Sequence, residues 1–208
     1  MSLKTVHIID YGSSNLLSIS RAFEHIGAQV IIIQNAEDIQ NANHLILPGV
    51  GAFPDGMQAL QKSGFDQAIQ FYVRTGKPLM GICLGMQLLL DIGTEIQACK
   101  GLGLIPGKVI ELPRNQPGFK VPNINWHQAK VTQAHPLFED ISKAEMYYFV
   151  HSYYAQTDHA NNAIALTDYG DIKFASAIAK DNVMGTQFHP EKSGEKGLQM
   201  LQNFLNIK

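Results

Sequence analysis

The chain has 208 residues, 45% of them hydrophobic and 16% charged, with a formal net charge of -2. That composition can bury one substantial core and does not suggest disorder, and no basic stripe of the kind that holds nucleic acid is present. Two cysteines, Cys83 and Cys99, and a start "MSLKTVHIID" with no basic segment or long apolar run lead us to expect a reducing, cytoplasmic setting and no membrane span.

"TVHIIDYG" is a β-branched run that predicts a strand ending at Asp10–Gly12. In "SNLLSISRAFEHIGA", Leu16, Ile19, Phe23 and Ile26 recur at helical spacing, and Gly27 marks a stop. "QVIIIQ" and "HLILPGVGAF" predict two more strands, the second ended by Pro48 and Gly49. "FPDGMQALQKSGFDQAIQFYVRTG" predicts a helix in two pieces broken near Gly64. "PLMGIC" predicts a fourth strand, and "LGMQLLLDIG" the helix after it.

Strand and helix alternate through the first ninety residues. This predicts an α/β fold with a mostly parallel central sheet and helices on both faces. The second half changes character. "GKVIELP", "HQAKVTQ", "MYYFVHSYYAQ", "AIALTDYG", "FASAIAKDN" and "VMGTQFHP" predict strands joined by short turns, a small antiparallel addition. "GEKGLQMLQNFLNIK" closes the chain as a helix with Leu198, Leu201, Phe204 and Leu205 on one face. No repeat or linker interrupts the chain, so residues 1–208 are expected to form a single domain.

"GICLG" places Cys83 between two glycines, at the passage from a strand to a helix. Two readings stand. The thiol is a small core hydrophobe at a turn, or the turn is a nucleophile elbow built to present it. In the second reading the bend lifts the sulfur off the carboxyl edge of the sheet to a helix N-terminus, where the thiolate is favoured. The N–H of Leu84 then points where an oxyanion would form. Cys99, in "IQACKG", has no such setting and is read as structural.

A nucleophilic cysteine needs a base and a group that orients it. Among the eight histidines, His7, His25, His135 and His159 have bland settings in a strand, at a helix end and in polar loops. His189, in "GTQFHPEKS", follows a strand and has Glu191 two residues on. In extended chain the two face the same side, so Glu191 can hold one imidazole nitrogen and leave the other for the thiol. Taken alone this is an exposed His-Pro-Glu turn; beside the elbow it favours a Cys–His–Glu triad. No Cys/His cluster has metal-ligand spacing, so neither a metal nor an organic cofactor is expected. In "LPGVGAF", Gly49, Val50 and Gly51 supply a tight turn that also brings bare N–H groups to the same sheet edge, as a second oxyanion donor.

"GICLGMQ" together with "FHPE" resembles the class I, triad-type glutamine amidotransferases. The resemblance extends through "DYGSSNLLSI", "LPGVGAF", "KVPNINW", "YYFVHSYY" and "GTQFHPEKSG". Within the family it is closest to the glutaminases that serve histidine biosynthesis. It implies that Cys83 attacks the side-chain amide of L-glutamine, that His189 protonates the departing ammonia, and that Glu191 holds His189. It also implies an oxyanion site at Val50, Gly51 and Leu84, and contacts to glutamine from Gly51, Gln87, Ser152 and Tyr153. Ammonia would pass to a separate (β/α)₈ synthase subunit, sealed from water because ammonium is not a nucleophile. The Val50 loop would turn its peptide toward the oxyanion only when that partner is engaged. Asn15, Trp126 and Tyr147 are expected on the partner face, with core or sheet packing an equal alternative for the two aromatics. The chain departs from the family in two places expected to face the synthase. Ser13 and Ser14 precede Asn15 where a glycine is usual, and Asn123-Ile124-Asn125-Trp126-His127 replaces a segment ending in Gly-Trp-Asn. An alternative is therefore a paralogue that feeds ammonia to a sugar-modifying enzyme of surface polysaccharide synthesis. A non-catalytic subunit is disfavoured by the intact triad, and a stand-alone cysteine hydrolase by the glutamine-binding signature.

Overall fold

The computed structural model describes residues 3–12, 15–114 and 120–208. Ser13 and Ser14 lie outside the described residues. In chain order, β1 (Thr5–Ile9), α1 (Leu16–His25), β2 (Gln29–Ile33), β3 (Leu45–Leu47), α2 (Phe53–Lys62), α3 (Phe65–Val73) and β4 (Leu79–Ile82) form the alternating half. Then come α4 (Leu84–Leu88), β5 (Leu90–Gly93), β6 (Cys99–Lys100), β7 (Ile105–Glu111) and β8 (Asn123–Val131). The rest is β9 (Ala144–His151), β10 (Tyr153–Thr157), β11 (Ala163–Tyr169), β12 (Ile172–Lys180), β13 (Val183–Thr186) and α5 (Gly194–Phe204).

The strands join one sheet in the order β2-β1-β3-β4-β13-β12-β10-β7-β5-β6, with β11 paired to β12 and β8, and β9 to β8. Neighbours from β2 to β13 run parallel. From β13 to β12, β10 and β7 they alternate. Side chains alternate across the sheet, so its two faces build two cores. Val6 and Ile8 of β1, with Met80 and Ile82 of β4, pack against α1 (Ile19, Phe23) and α5 (Met200, Leu201, Phe204). Ile9, Leu45, Leu47 and Leu79 pack against α2 and α3 (Met57, Leu60, Phe65, Ile69) on the other face.

Two elements differ from expectation. The helix expected over 84–93 stops at Leu88, and β5 begins at Leu90. "LGMQLLL" is buried on every side, so it carries no periodicity from which to read a boundary. The strand expected over "MYYFVHSYYAQ" is two, β9 and β10, divided at Ser152.

Candidate active site

The parallel ladder between β4 and β13 positions the site. Gly81 pairs with Gly185 and Ile82 with Thr186, so both strands end side by side at the carboxyl edge. Cys83 therefore follows β4 where Gln187, Phe188 and His189 follow β13, and the Cys83 N–H donates to the Thr186 carbonyl at 2.7 Å. Open α/β sheets bind ligands at this edge.

Cys83 has φ 56 and ψ -111, an unusual conformation for a residue with a side chain. Its flanking glycines answer to close approach. A Cβ on Gly81 would lie 2.6 Å from the Gly85 backbone, and one on Gly85 only 1.9 Å from the Leu47 carbonyl oxygen. The bend thus lets α4 lie directly on β3 and β4. At five residues α4 is short, so the dipole expected to favour the thiolate is weak. Cys83 and Cys99 are both free thiols.

His189 and Glu191 are joined at 2.7 Å between Nδ1 and Oε1, and their side chains are almost completely buried. The His189 backbone N–H is anchored on the Tyr148 carbonyl, and its own carbonyl accepts from Ser193 Oγ at 2.6 Å. Burial opposes charge on the ring, but the Cys83 sulfur and the Glu191 carboxylate outweigh it and raise its pKa to about 10. Nε2 makes no formed hydrogen bond, yet it shares a cavity with the Cys83 sulfur. Contacts of this kind tighten when substrate binds. Burial would raise the Glu191 pKa; His189 and then Asn15 hold it below the ordinary value.

Asn15, expected on the partner face, turns its carboxamide inward and donates from Nδ2 to Glu191 Oε1 at 2.7 Å. No local pattern signals that contact, which spans 176 positions.

This pair gives a signed pH prediction. The folded His189 keeps a proton that the unfolded chain releases above the ordinary 6.5, so its contribution is whole below 6.5 and fades toward about 10. Glu191 contributes fully above 4.5 and loses its contribution as pH falls below that. We expect Glu191→Gln to destabilise by about 2 kcal/mol between these two values. The gap should narrow toward pH ~10, where the native ring also loses its proton. Urea unfolding of both chains across this range checks it.

The cavity at the sulfur measures 250 Å³, room for one small amino acid. Its lining includes Val50, Gly51, Cys83, Leu84, Gln87 and His189, with Ser152 and Tyr153 from the break between β9 and β10. It also includes Glu95, which sequence reasoning missed. The Glu95 Oε2 accepts from the Phe53 N–H at 2.7 Å, at the start of α2. Nothing beside Glu95 in the sequence distinguishes it from a surface acid. A larger groove of 570 Å³, lined by Val131, Pro136, Phe138 and Lys143 among others, holds neither the cysteine nor its partners.

The expected oxyanion donor is occupied. The Leu84 N–H donates to the Gly49 carbonyl at 3.3 Å. Gly51, at φ 106, and the exposed Val50 follow in the same loop. The break at Ser152 is held from below by His151, whose Nδ1 pairs with the Tyr153 carbonyl and Nε2 with Asn123 Nδ2. Burial lowers the His151 pKa to about 4, so the ring is neutral and accepts from Asn123. Among the described residues no group of three or more His, Cys, Asp or Glu could hold a metal ion.

Tyr147 is corrected. It is fully buried and stacks on Phe188 at 4.0 Å between ring centroids, so it cannot meet a partner. Strand alternation puts its neighbour Tyr148 on the other side, opposite Trp126 in the β8–β9 register and edge-on to it at 6.1 Å. With the exposed Ile124, Trp126 and Met146, Tyr148 forms an apolar face on β8 and β9.

Residues 7–207 match the family model of class-I glutamine amidotransferases, and the chain belongs to that family. It is 45% identical over 207 residues to the imidazole glycerol phosphate synthase subunit HisH of Methanosarcina barkeri, covering 99% of this chain and all of that one. It is 46% identical to the subunit of the same name from Listeria innocua, covering 96% and 94%. Among solved structures, a chain of PurLQS from Thermotoga maritima superposes with a TM-score of 0.78 at 20% identity, covering 99% of each. A glutamine amidotransferase from the same organism gives 0.68 at 13%, covering 99% of this chain and 84% of that one. These two share the fold. No described helix is long and apolar enough to cross a membrane.

Proposed function

We propose that this chain is the glutamine-hydrolysing subunit of an imidazole glycerol phosphate synthase in histidine biosynthesis, built as one domain over residues 1–208. The reading rests on one observation above all. The β4–β13 register sets a strained cysteine beside a histidine held by a buried carboxylate, in a cavity of amino-acid size.

Glutamine enters with its α-ammonium toward Glu95, the acidic side chain of the lining, and its side-chain amide toward Cys83. Gly51, Ser152 and Tyr153 border the amino-acid end. The Gln87 Nε2 is committed to the Tyr153 carbonyl and to Gln187 Oε1, leaving its own Oε1 to accept from the ligand. The Cys83 sulfur bonds to the amide carbon. His189, protonated at neutral pH, gives its proton to the nitrogen, which leaves as ammonia. Water then attacks the γ-glutamyl thioester with His189 as base, releasing glutamate and the thiol. Asn15 and Glu191 keep the ring in line.

Ammonia is consumed by a partner, a (β/α)₈ cyclase subunit. The apolar face of Ile124, Trp126, Met146 and Tyr148 docks it, with Val50 exposed in the oxyanion loop. Docking turns the Gly49–Val50 peptide, removing the Gly49 carbonyl from the Leu84 N–H and presenting the Val50 N–H beside Gly51. One oxyanion donor is worth about 10²–10³ in rate. We therefore expect the cyclase and its acceptor analogue to raise glutamine turnover by that factor. Trp126→Ala should weaken the stimulation by raising the partner concentration required, with turnover of the isolated chain unchanged. Coupled assay of glutamate at varied cyclase concentration measures both. Failure of the histidine-pathway cyclase to stimulate, with stimulation by a sugar-modifying enzyme instead, would overturn the choice of partner.

A further inference from the structure

Gln187 lies between the strand end and the triad histidine, fully buried, and in the scheme above it serves only as an acceptor for Gln87. Its backbone N–H is spent on the Ser176 carbonyl at 2.9 Å. Its side chain reaches across to α4, where Oε1 accepts from Gln87 at 2.9 Å and Nε2 lies 3.7 Å from the Cys83 sulfur.

The orientation of that amide follows from its neighbours. The Tyr153 carbonyl can only accept, so the Gln87 group facing it at 2.9 Å must be its NH₂. The second hydrogen of that NH₂ meets Gln187, which must therefore present its oxygen. The Gln187 NH₂ is left facing the sulfur. One backbone carbonyl thus sets two amides in sequence, and the last aims an N–H at the nucleophile.

We propose that Gln187 is a further catalytic residue: its side-chain N–H donates to the Cys83 sulfur and favours the charged nucleophile, in an orientation fixed through Gln87 by the Tyr153 carbonyl. This rests on Cys83 being the nucleophile. A sulfur carrying negative charge is a stronger acceptor than a thiol, so a buried donor at that position stabilises the reactive form selectively. The relay also runs through Gln87, so a ligand that moves Gln87 changes the donor at the sulfur.

The test is the rate at which iodoacetamide alkylates Cys83, read on the Cys83 peptide because Cys99 is also accessible. It does not depend on glutamine turnover, so it separates this inference from the proposed activity. The titratable side chains lining the cavity with the sulfur are His189, His151, Glu95 and Tyr153, with Glu191 behind His189, and all are retained in the variants. Gln187→Met keeps the volume and removes the donor; we expect alkylation at pH 7 to slow about tenfold. Gln187→Glu keeps an acceptor for Gln87 but sets an anionic oxygen against the sulfur, and should slow it further. Both losses should vanish near pH ~10, where thiols are ionised regardless. A folded Gln187→Met chain that alkylates at the native rate at pH 7, or is slowed equally at both pH values, overturns the proposal. In the unmodified chain, alkylating Cys83 should shift the Gln187 side-chain amide proton resonances; unmoved resonances would overturn it equally, even if neither variant folds.

Discussion

Cys83→Ala cuts glutamine hydrolysis by about 10⁴-fold or more while the chain still folds. The described cavity contains one sulfur and no other nucleophile of comparable strength, so no side chain there can take over the attack. The loss of stability is small. Cys83 contributes one sulfur to a well-packed core, and its backbone strain is the same with alanine. We expect a change within about 1 kcal/mol by urea unfolding. A chain that keeps its ammonia release after this substitution would show that Cys83 is not the nucleophile. A chain that fails to fold would make Cys83 a structural residue first.

Gly85→Ala acts on the fold before the chemistry. The added methyl would sit 1.9 Å from the Leu47 carbonyl oxygen and 2.8 Å from its carbon, and backbone cannot move aside like the end of a side chain. The helix α4 must retreat from β3 by more than an ångström. It carries Leu84 and Gln87, so the positions proposed for the oxyanion and the substrate retreat with it. We expect about 3 kcal/mol or more of destabilisation, at the severe end for a buried small-to-large change. Any chain that does fold should hydrolyse glutamine poorly. The check is the denaturation midpoint; a shift worth less than about 1 kcal/mol would mean that the helix has room the structure does not show.

Part of this site was legible because its signals are local. Gly81 and Gly85 flank Cys83 within five positions, and Glu191 stands two from His189. The alternating first half was legible because each strand is a short apolar run and each of α1, α2 and α3 has one polar face. What failed to show in the sequence was of two kinds. Where every residue is buried, as from Leu84 to Leu90, the pattern contains no face and the end of α4 left no mark. Where a contact joins distant strands, its residues look ordinary. Asn15 reads as a loop polar, Gln187 as a strand-end polar and Glu95 as a surface acid, and only the folded packing sets them beside Glu191, the Cys83 sulfur and the cavity. Tyr147 is a different lesson. The choice between Tyr147 and Tyr148 was a choice of strand face, and the buried Phe149 and His151 at alternate positions decide it. The alternation rule applied from either residue would have turned Tyr147 inward and Tyr148 out.

The glycine-flanked bend is also a compromise between stability and chemistry. A residue at φ 56 with a side chain costs on the order of 1–3 kcal/mol, and the surrounding ladder holds it there. That ladder also brings His189 into place, so the same backbone bonds enforce the strain and assemble the partner.

The most direct test is labelling by a glutamine-shaped diazo-ketone, which places an electrophilic carbon where the amide carbon of the substrate would lie. We expect a single covalent adduct on the Cys83 peptide, loss of turnover in step with its formation, and protection by L-glutamine. An adduct on Cys99 accompanied by loss of turnover, or full turnover with Cys83 completely modified, would contradict it.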